Sequence, residues 1–179
     1  MVNAYPKADP ALERTAALLA DARSADEVVE ILRLTARRIA GSDGIAVVLR
    51  DGRSCFYAAE DAIEPLWRGC RFPLDACVSG WAMLNDETVV IPDIGIDPRV
   101  PQPAYANKAI CSLAMVPIGT PEPVAALGAY WCAMVLLDPT TLTRIETLAR
   151  QAGEALARVR GEALAAAGAG RSLQPEAAS

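Results

Sequence analysis

Gly44-Ile45-Ala46-Val47-Val48-Leu49-Arg50-Asp51-Gly52-Arg53-Ser54-Cys55-Phe56-Tyr57-Ala58-Ala59 is the stretch on which the architecture turns. Apolar and β-branched residues fill 44–50. The Asp51-Gly52 pair suits a two-residue turn that needs positive φ, and 53–59 returns with strand character. The stretch predicts an antiparallel hairpin.

Working outward toward the N-terminus, Ser24 and Glu27 form a capping box. Val28, Ile31, Leu32, Thr35 and Ile39 then fall on one helical face, Arg33, Arg37 and Arg38 fall on the other, and Gly41 ends the helix. A shorter helix is expected over 10–22, with Leu12, Thr15, Ala16 and Leu19 on one side. Downstream, 61–69 reads as one or two helical turns and 70–74 as a short strand. A helix follows over 79–85, and Thr88 to Ile91 forms a strand that Pro92 ends. Pro98, Pro101 and Pro103 make 95–107 a loop, and a loop of that length in a small domain is often a lid. Strands are expected over 109–118 and 124–134. Asp138-Pro139-Thr140 starts the last helix, with Pro near its first position.

In that last helix Leu142, Ile145, Ala149, Ala152, Leu156, Val159, Ala163 and Ala166 are spaced alternately by three and four. This is an a/d seam, so its first half should cover the domain's own sheet and the remainder should meet a second copy. Glu146 with Arg150, and Glu154 with Arg158, are expected to pair on its flank. The chain divides into an N-terminal helical segment (1–23), a domain that includes the long helix (24–166) and a small-residue tail expected to lack structure (167–179). Short turns between strands favour antiparallel pairing. The expected fold class is α+β: a central antiparallel sheet with the terminal helices on one face and the long loop over the other.

Composition narrows the chemistry. The 179 residues carry a net charge of −5 and no run of Lys and Arg, which argues against a nucleic-acid surface. There is no histidine, which excludes a Ser-His-Asp triad, a Cys-His couple and His-held haem or metal. The longest charge-free apolar run, 124–137, is shorter than the ~18 residues a membrane span needs. The N-terminal residues hold no apolar signal core, so a cytoplasmic location is expected. Five cysteines, Cys55, Cys70, Cys77, Cys111 and Cys132, are odd in number and lack Cys-x-x-Cys spacing. Reduced thiols, mostly small core residues, are expected.

Several motifs occur in a telling order. Arg71-Phe72-Pro73-Leu74 comes first, then Cys77-Val78-Ser79-Gly80-Trp81-Ala82, then Val89-Val90-Ile91-Pro92-Asp93-Ile94. Asp97-Pro98-Arg99, Ser112-Leu113-Ala114-Met115-Val116-Pro117-Ile118 and Ala126-Leu127-Gly128-Ala129-Tyr130-Trp131 follow. This set resembles a GAF domain over about 25–160, closest to the GAF sensor modules of bacterial two-component histidine kinases. The resemblance implies a six-stranded antiparallel sheet, a pocket on the face away from the terminal helices, and dimerisation through those helices. It also implies a sensing or signalling role, with output to a partner such as a histidine kinase. It does not specify a ligand, so the cofactor stays unknown.

Bilin-binding relatives pair an attachment cysteine with histidine, and haem sensors use a histidine ligand, so the missing histidine disfavours both. Asn107-Lys108 begins like the cyclic-nucleotide motif, but the motif does not continue. The enzymatic relative is free methionine-(R)-sulfoxide reductase, a thiol enzyme. Cys77 with Gly80 is roughly similar to its first motif, yet Ala106 stands where its nucleophile would fall. Cys77 and Cys111 are therefore the alternative catalytic thiols to a reading with no catalytic residue. Cys77 lies near a helix N-terminus, where the dipole lowers a thiol pKa, although a small buried core residue is the plainer reading. No cysteine is expected to react well ahead of the others.

The expected small-molecule pocket lies between the loop 95–107 and the sheet. Strand alternation offers Cys111, Leu113, Met115, Ala129 and Trp131 as an apolar floor, with Asp93, Arg99 and Tyr105 at the rim. Trp81 would flank a flat ligand. Arg99 could hold an anionic end or pair with Asp97 or Asp93. Leu142, Ile145, Ala149, Ala152, Leu156 and Val159 would form the dimer seam.

Overall fold

The computed structural model describes residues 9–171. Two helices open the chain, α1 (Pro10–Asp21) and α2 (Ala25–Ala40). Asp9 caps α1 by accepting the amides of Ala11 and Leu12, with Pro10 at the first position where no amide is needed. Ser24 Oγ accepts the Glu27 amide at 3.2 Å, while the Glu27 carboxylate accepts the Arg23 amide at 2.8 Å. Gly41 ends α2 at φ 60°, the left-handed conformation that glycine tolerates best.

The hairpin is β1 (Gly44–Asp51) with β2 (Ser54–Ala62), longer on its return strand than expected. There follow β3 (Arg71–Pro73), α3 (Val78–Asn85), β4 (Val89–Ile91), a single turn α4 (Gln102–Tyr105), β5 (Ser112–Ile118) and β6 (Ala125–Trp131). The last helix, α5 (Pro139–Arg171), starts where Asp138 accepts the amide and hydroxyl of Thr141. All pairings are antiparallel, in the order β3-β2-β1-β6-β5-β4. The α+β expectation with a six-stranded antiparallel sheet therefore agrees with the structure.

Two cores lie on opposite faces of the sheet. On one, α1, α2 and α5 bury Leu19, Leu32 and Ile39 against Ile45, Val116 and Leu127. On the other, α3 and the segment 94–110 cover Val48, Tyr57, Leu113, Met115 and Tyr130. Arg158 of α5 donates to the carbonyls of Leu19 (2.9 Å) and Ala22 (2.8 Å), tying down the end of α1.

Three expectations change. Residues 61–69 form no helix. Instead the Glu60 carboxylate accepts the amides of Leu66, Trp67 and Arg68, and a loop whose amides are already satisfied gains nothing by coiling. The ion pairs within α5 are Arg150–Glu154 and Arg158–Glu162, while Arg144 pairs with Asp9, Glu146 accepts the Thr88 hydroxyl and Arg158 lies over the end of α1. The part of the expected tail from 167 to 171 is helical. The remainder, 172–179, and residues 1–8 of the N-terminal segment lie outside the described residues.

The seam also has a different use. Ile145, Ala149, Ala152, Leu156 and Val159 are each at most 4% exposed within the single chain, and Leu142 is half-buried. They pack on the domain's own sheet and helices, so they are not free to form a dimer seam. The physical reason is coverage: α1, α2 and β5 together already close over this stripe within one chain. Residues 160–170 lie beyond it and are exposed.

Candidate functional site

The site face is built from the hairpin upward. Residues of β1 and β2 alternate between faces until Val47 and Val48, where the pairing jumps from Ala59 to Tyr57 and Ala58 bulges. The bulge reverses the phase of β2. It sends Cys55 and Tyr57 to the loop-covered face while Ala59 faces the helices. Trp67, held in place by the Glu60-ordered loop, leans over this floor. Its ring meets Tyr57 at 5.5 Å, Tyr105 at 4.7 Å and Tyr130 at 5.6 Å between centroids, and its indole N–H donates to the Ala104 carbonyl at 3.1 Å. Lys108 donates to the carbonyls of Pro65 and Leu66 and lies 5.8 Å from the same ring. The loop over the sheet is thus pinned through one tryptophan.

The sequence-predicted residues distribute as follows. Leu113 and Met115 are buried on the loop-covered face, and Tyr105 is buried within the aromatic group rather than at a rim. Trp131 and Ala129 are on the helix face, and the Trp131 indole donates to the Gly41 carbonyl at 3.1 Å. The error is one of phase. β5 and β6 pair Leu113 with Tyr130 and Met115 with Gly128, so the even residues of β6 share a face with the odd residues of β5. Cys111 is half-buried just ahead of β5, its amide bonded to the Trp131 carbonyl. Asp93 accepts the Gly95 amide and turns the chain into the loop. Arg99 makes a two-point ion pair with Asp97, which holds that carboxyl below its ordinary range, and its guanidinium lies 4.9 Å from the Trp81 ring. Its charge is spent on Asp97 and Trp81.

Two hollows remain on this side. The one under the loop, bounded by Tyr57, Trp67, Cys77 and Tyr105, is about 10 Å³, room for no more than one water. The other, about 60 Å³ and mostly apolar, opens at the end of β1 between Ile63, Leu66, Lys108, Ile110 and Tyr130. The broad floor expected beneath the loop is instead filled by aromatic rings. Gly128 belongs to this packing: a Cβ there would stand 2.5 Å from the Tyr130 hydroxyl. That hydroxyl is fully buried, close to Tyr57 but without a hydrogen bond of its own among the described residues.

Beside the rings lies a polar knot that sequence reasoning only half anticipated. Cys77 is the N-cap of α3, and its sulfur lies 3.3 Å from Cys55 Sγ, 3.3 Å from Ser79 Oγ and 3.4 Å from the Pro73 carbonyl. Tyr57 Oη is 3.2 Å from Ser79 Oγ. The neighbouring Cys55 thiol, then Ser79 and the Gly80 amide, pull the Cys77 thiol below its ordinary value against the opposition of burial. The same contact, with burial, pushes Cys55 far up. Cys77 is therefore set apart from the other four thiols by its contacts with Cys55 and Ser79. Cys55, Tyr57, Trp67 and Tyr130 went unrecognised from sequence. The alternation of the hairpin marked Cys55 and Tyr57 as sharing a face, but the bulge hid which face it was.

Among the described residues no group of three or more Cys, Asp or Glu is placed to hold a metal ion, and no helix is long and apolar enough to cross a membrane.

A six-stranded antiparallel sheet backed by terminal helices, with a long loop and short helix over its other face, defines the GAF class of sensor and signalling domains. A GAF domain family model matches residues 22–157, and the chain belongs to that family. Similar solved structures include the GAF domain of an Acinetobacter phosphoenolpyruvate-protein phosphotransferase. It is 14% identical, with 86% of this chain and 95% of that one covered and a TM-score of 0.72. Free methionine-R-sulfoxide reductase from Neisseria meningitidis, solved with its substrate, is 18% identical over 88% and 96%, also at 0.72. The chromophore-binding domain of a bacteriophytochrome from R. palustris is 17% identical over 85% and 60%, at 0.71. At these identities the likeness is one of fold. No curated protein matches the chain by sequence.

Proposed function

We propose that the chain is a small-molecule-sensing GAF module that works as a homodimer through its helices and passes its state to a signalling partner, with a histidine kinase as one candidate. The observation that carries this reading is α5. Its first part packs on α1, α2 and β5, and the same continuous helix leaves the domain with residues 160–170 exposed. A change on the loop-covered face needs to cross one strand to reach it. Met115 faces the loop side and Val116, its neighbour, faces α5. The dimer contact in this reading uses the projecting part of α5, where Leu164 is 76% exposed, instead of the seam the domain already covers. The ligand would enter beside Lys108 and Ile110 and displace aromatic rings, which suits a small, flat, largely apolar molecule.

Native mass spectrometry of freshly purified full-length protein tests both halves at once. The expected result is a dimer mass with a bound small molecule. A bare monomer at tens of micromolar protein would sink the reading. The alternative, a thiol-based free methionine-(R)-sulfoxide reductase, is disfavoured by a loop that carries Ala106 and no cysteine over 95–107. NADPH-coupled turnover of that sulfoxide with thioredoxin would replace the sensor reading with it.

A further inference from the structure

We propose that Cys55 and Cys77 are a built-in oxidation site, a buried dithiol that a hydroperoxide converts to a reversible disulfide. This stands apart from the ligand-sensing reading and needs neither a ligand nor a dimer.

The geometry carries it. The two sulfurs are already in contact at 3.3 Å, and a disulfide requires them to close to ~2.05 Å. Cys77 occupies the cap position of α3 in extended conformation (φ −146°, ψ 159°), where its carbonyl accepts the Trp81 amide at 3.0 Å and its side chain makes no cap bond, so a small shift of the sulfur leaves the helix ladder intact. Cys55 lies on β2 opposite Phe72 of β3, the edge strand of the sheet, which leaves one side of the pair bounded by a short, yielding element. The small hollow under the loop ends on Cys77, so the side from which a peroxide oxygen would reach this sulfur already holds space for about one oxygen atom. Cys70 and Cys132 are exposed and Cys111 is half-buried, so the pair is distinguished by enclosure as well as by contact. The lowered thiol pKa of Cys77 makes it the sulfur that reacts first.

The chemistry balances with hydrogen peroxide as oxidant. The Cys77 thiolate attacks one peroxide oxygen, the O–O bond breaks, and the departing hydroxide takes up the proton lost from Cys77. The products are one water and a sulfenic acid on Cys77. The Cys55 sulfur then attacks Cys77, an S–S bond forms as the S–O bond breaks, and the hydroxide leaves with the Cys55 proton as a second water. Two electrons pass from the two thiols to the peroxide. A dithiol reductant reverses the change.

The test uses the full chain, reduced and then exposed to hydrogen peroxide in slight excess, unfolded and labelled with a maleimide. Of five cysteines, the reduced protein should take five labels and the oxidised protein three, with dithiothreitol restoring five. Peptide mapping should join the Cys55 peptide to the Cys77 peptide. In Cys55→Ser the join should vanish and a sulfenic acid on Cys77 should be trapped by dimedone. Five labels after oxidation, a join through Cys70, Cys111 or Cys132, or further oxidation of Cys77 with Cys55 left free would each overturn the proposal. Should Cys55→Ser fail to fold, the wild-type peptide map decides alone.

Discussion

Gly80, in the first turn of α3, stands so close to Leu74 that a Cβ at this position would overlap the Leu74 carbonyl oxygen and carbon. The obstacle is backbone, which cannot swing aside as a side chain can. This contact seats the N-terminus of α3 on the turn after β3 and thereby brings Cys77 over Cys55. Gly80→Ala is expected to cost at least about 3 kcal/mol, the upper part of the range for overpacking a tight site. Urea denaturation measures it, and a loss below about 1 kcal/mol would mean that α3 slides freely and does not seat the thiol pair.

The contacts with Cys55, Ser79 and the Gly80 amide hold the Cys77 thiol below its ordinary 9.0 in the folded chain. In the window beneath 9.0 the unfolded chain holds a proton that the native chain has released, so stability rises with pH across that window and is lost as pH falls below it. The Cys55 shift is upward and acts only above the window. Urea midpoints at intervals from pH 6 to 9 should climb more steeply in the reduced wild type than in Cys77→Ser. Identical slopes would place the Cys77 proton at its ordinary value.

Leu156→Glu with Val159→Glu puts two carboxylates into the core between α5, α1 and the sheet. An unpaired buried charge costs several kcal/mol, and a domain has only about 5–15 in total. The double variant should lose its cooperative thermal transition. A folded monomer would instead return these residues to a dimer seam. Leu164→Glu, on the exposed part of α5, should keep the wild-type transition and lower the mass seen by light scattering.

Trp67→Ala removes a ring that three tyrosines pack against, together with the bond to the Ala104 carbonyl. The expected cost is about 3–5 kcal/mol. Amide exchange over Gln102–Tyr105 should accelerate by more than exchange over β1, since the loop loses its pin while the hairpin keeps its ladder. Equal acceleration in both would show that the ring holds the whole fold and not the loop.

Tyr130→Phe should behave in the opposite way. Its hydroxyl is buried without a partner, so removing the oxygen relieves a desolvation penalty worth about 1 kcal/mol and leaves the ring in place. Thermal denaturation should show a transition at or above that of the wild type. A drop of more than about 1 kcal/mol would mean that the hydroxyl is hydrogen-bonded, to Tyr57 or through water.

The sequence alone determined whatever depends on near neighbours in the chain. Asp51-Gly52 set the hairpin because the turn is closed by its own residues. Asp9, Ser24 and Gly41 set helix ends because caps bond within a few positions. The three-four spacing of α5 marked its apolar stripe, and the ordered motifs marked the GAF family. The tertiary structure decided what depends on how distant segments register. Alternation shows that β6 has two faces. Only its pairing with β5 decides that Tyr130, and not Trp131, lies under the loop. The bulge at Ala58 is an event between two strands, and it puts Cys55 on the face where α3 places Cys77. An apolar stripe likewise does not say whether a sheet or a second copy will cover it. That choice belongs to the area that the rest of the domain leaves open, and here α1, α2 and the sheet bury the stripe through Val159.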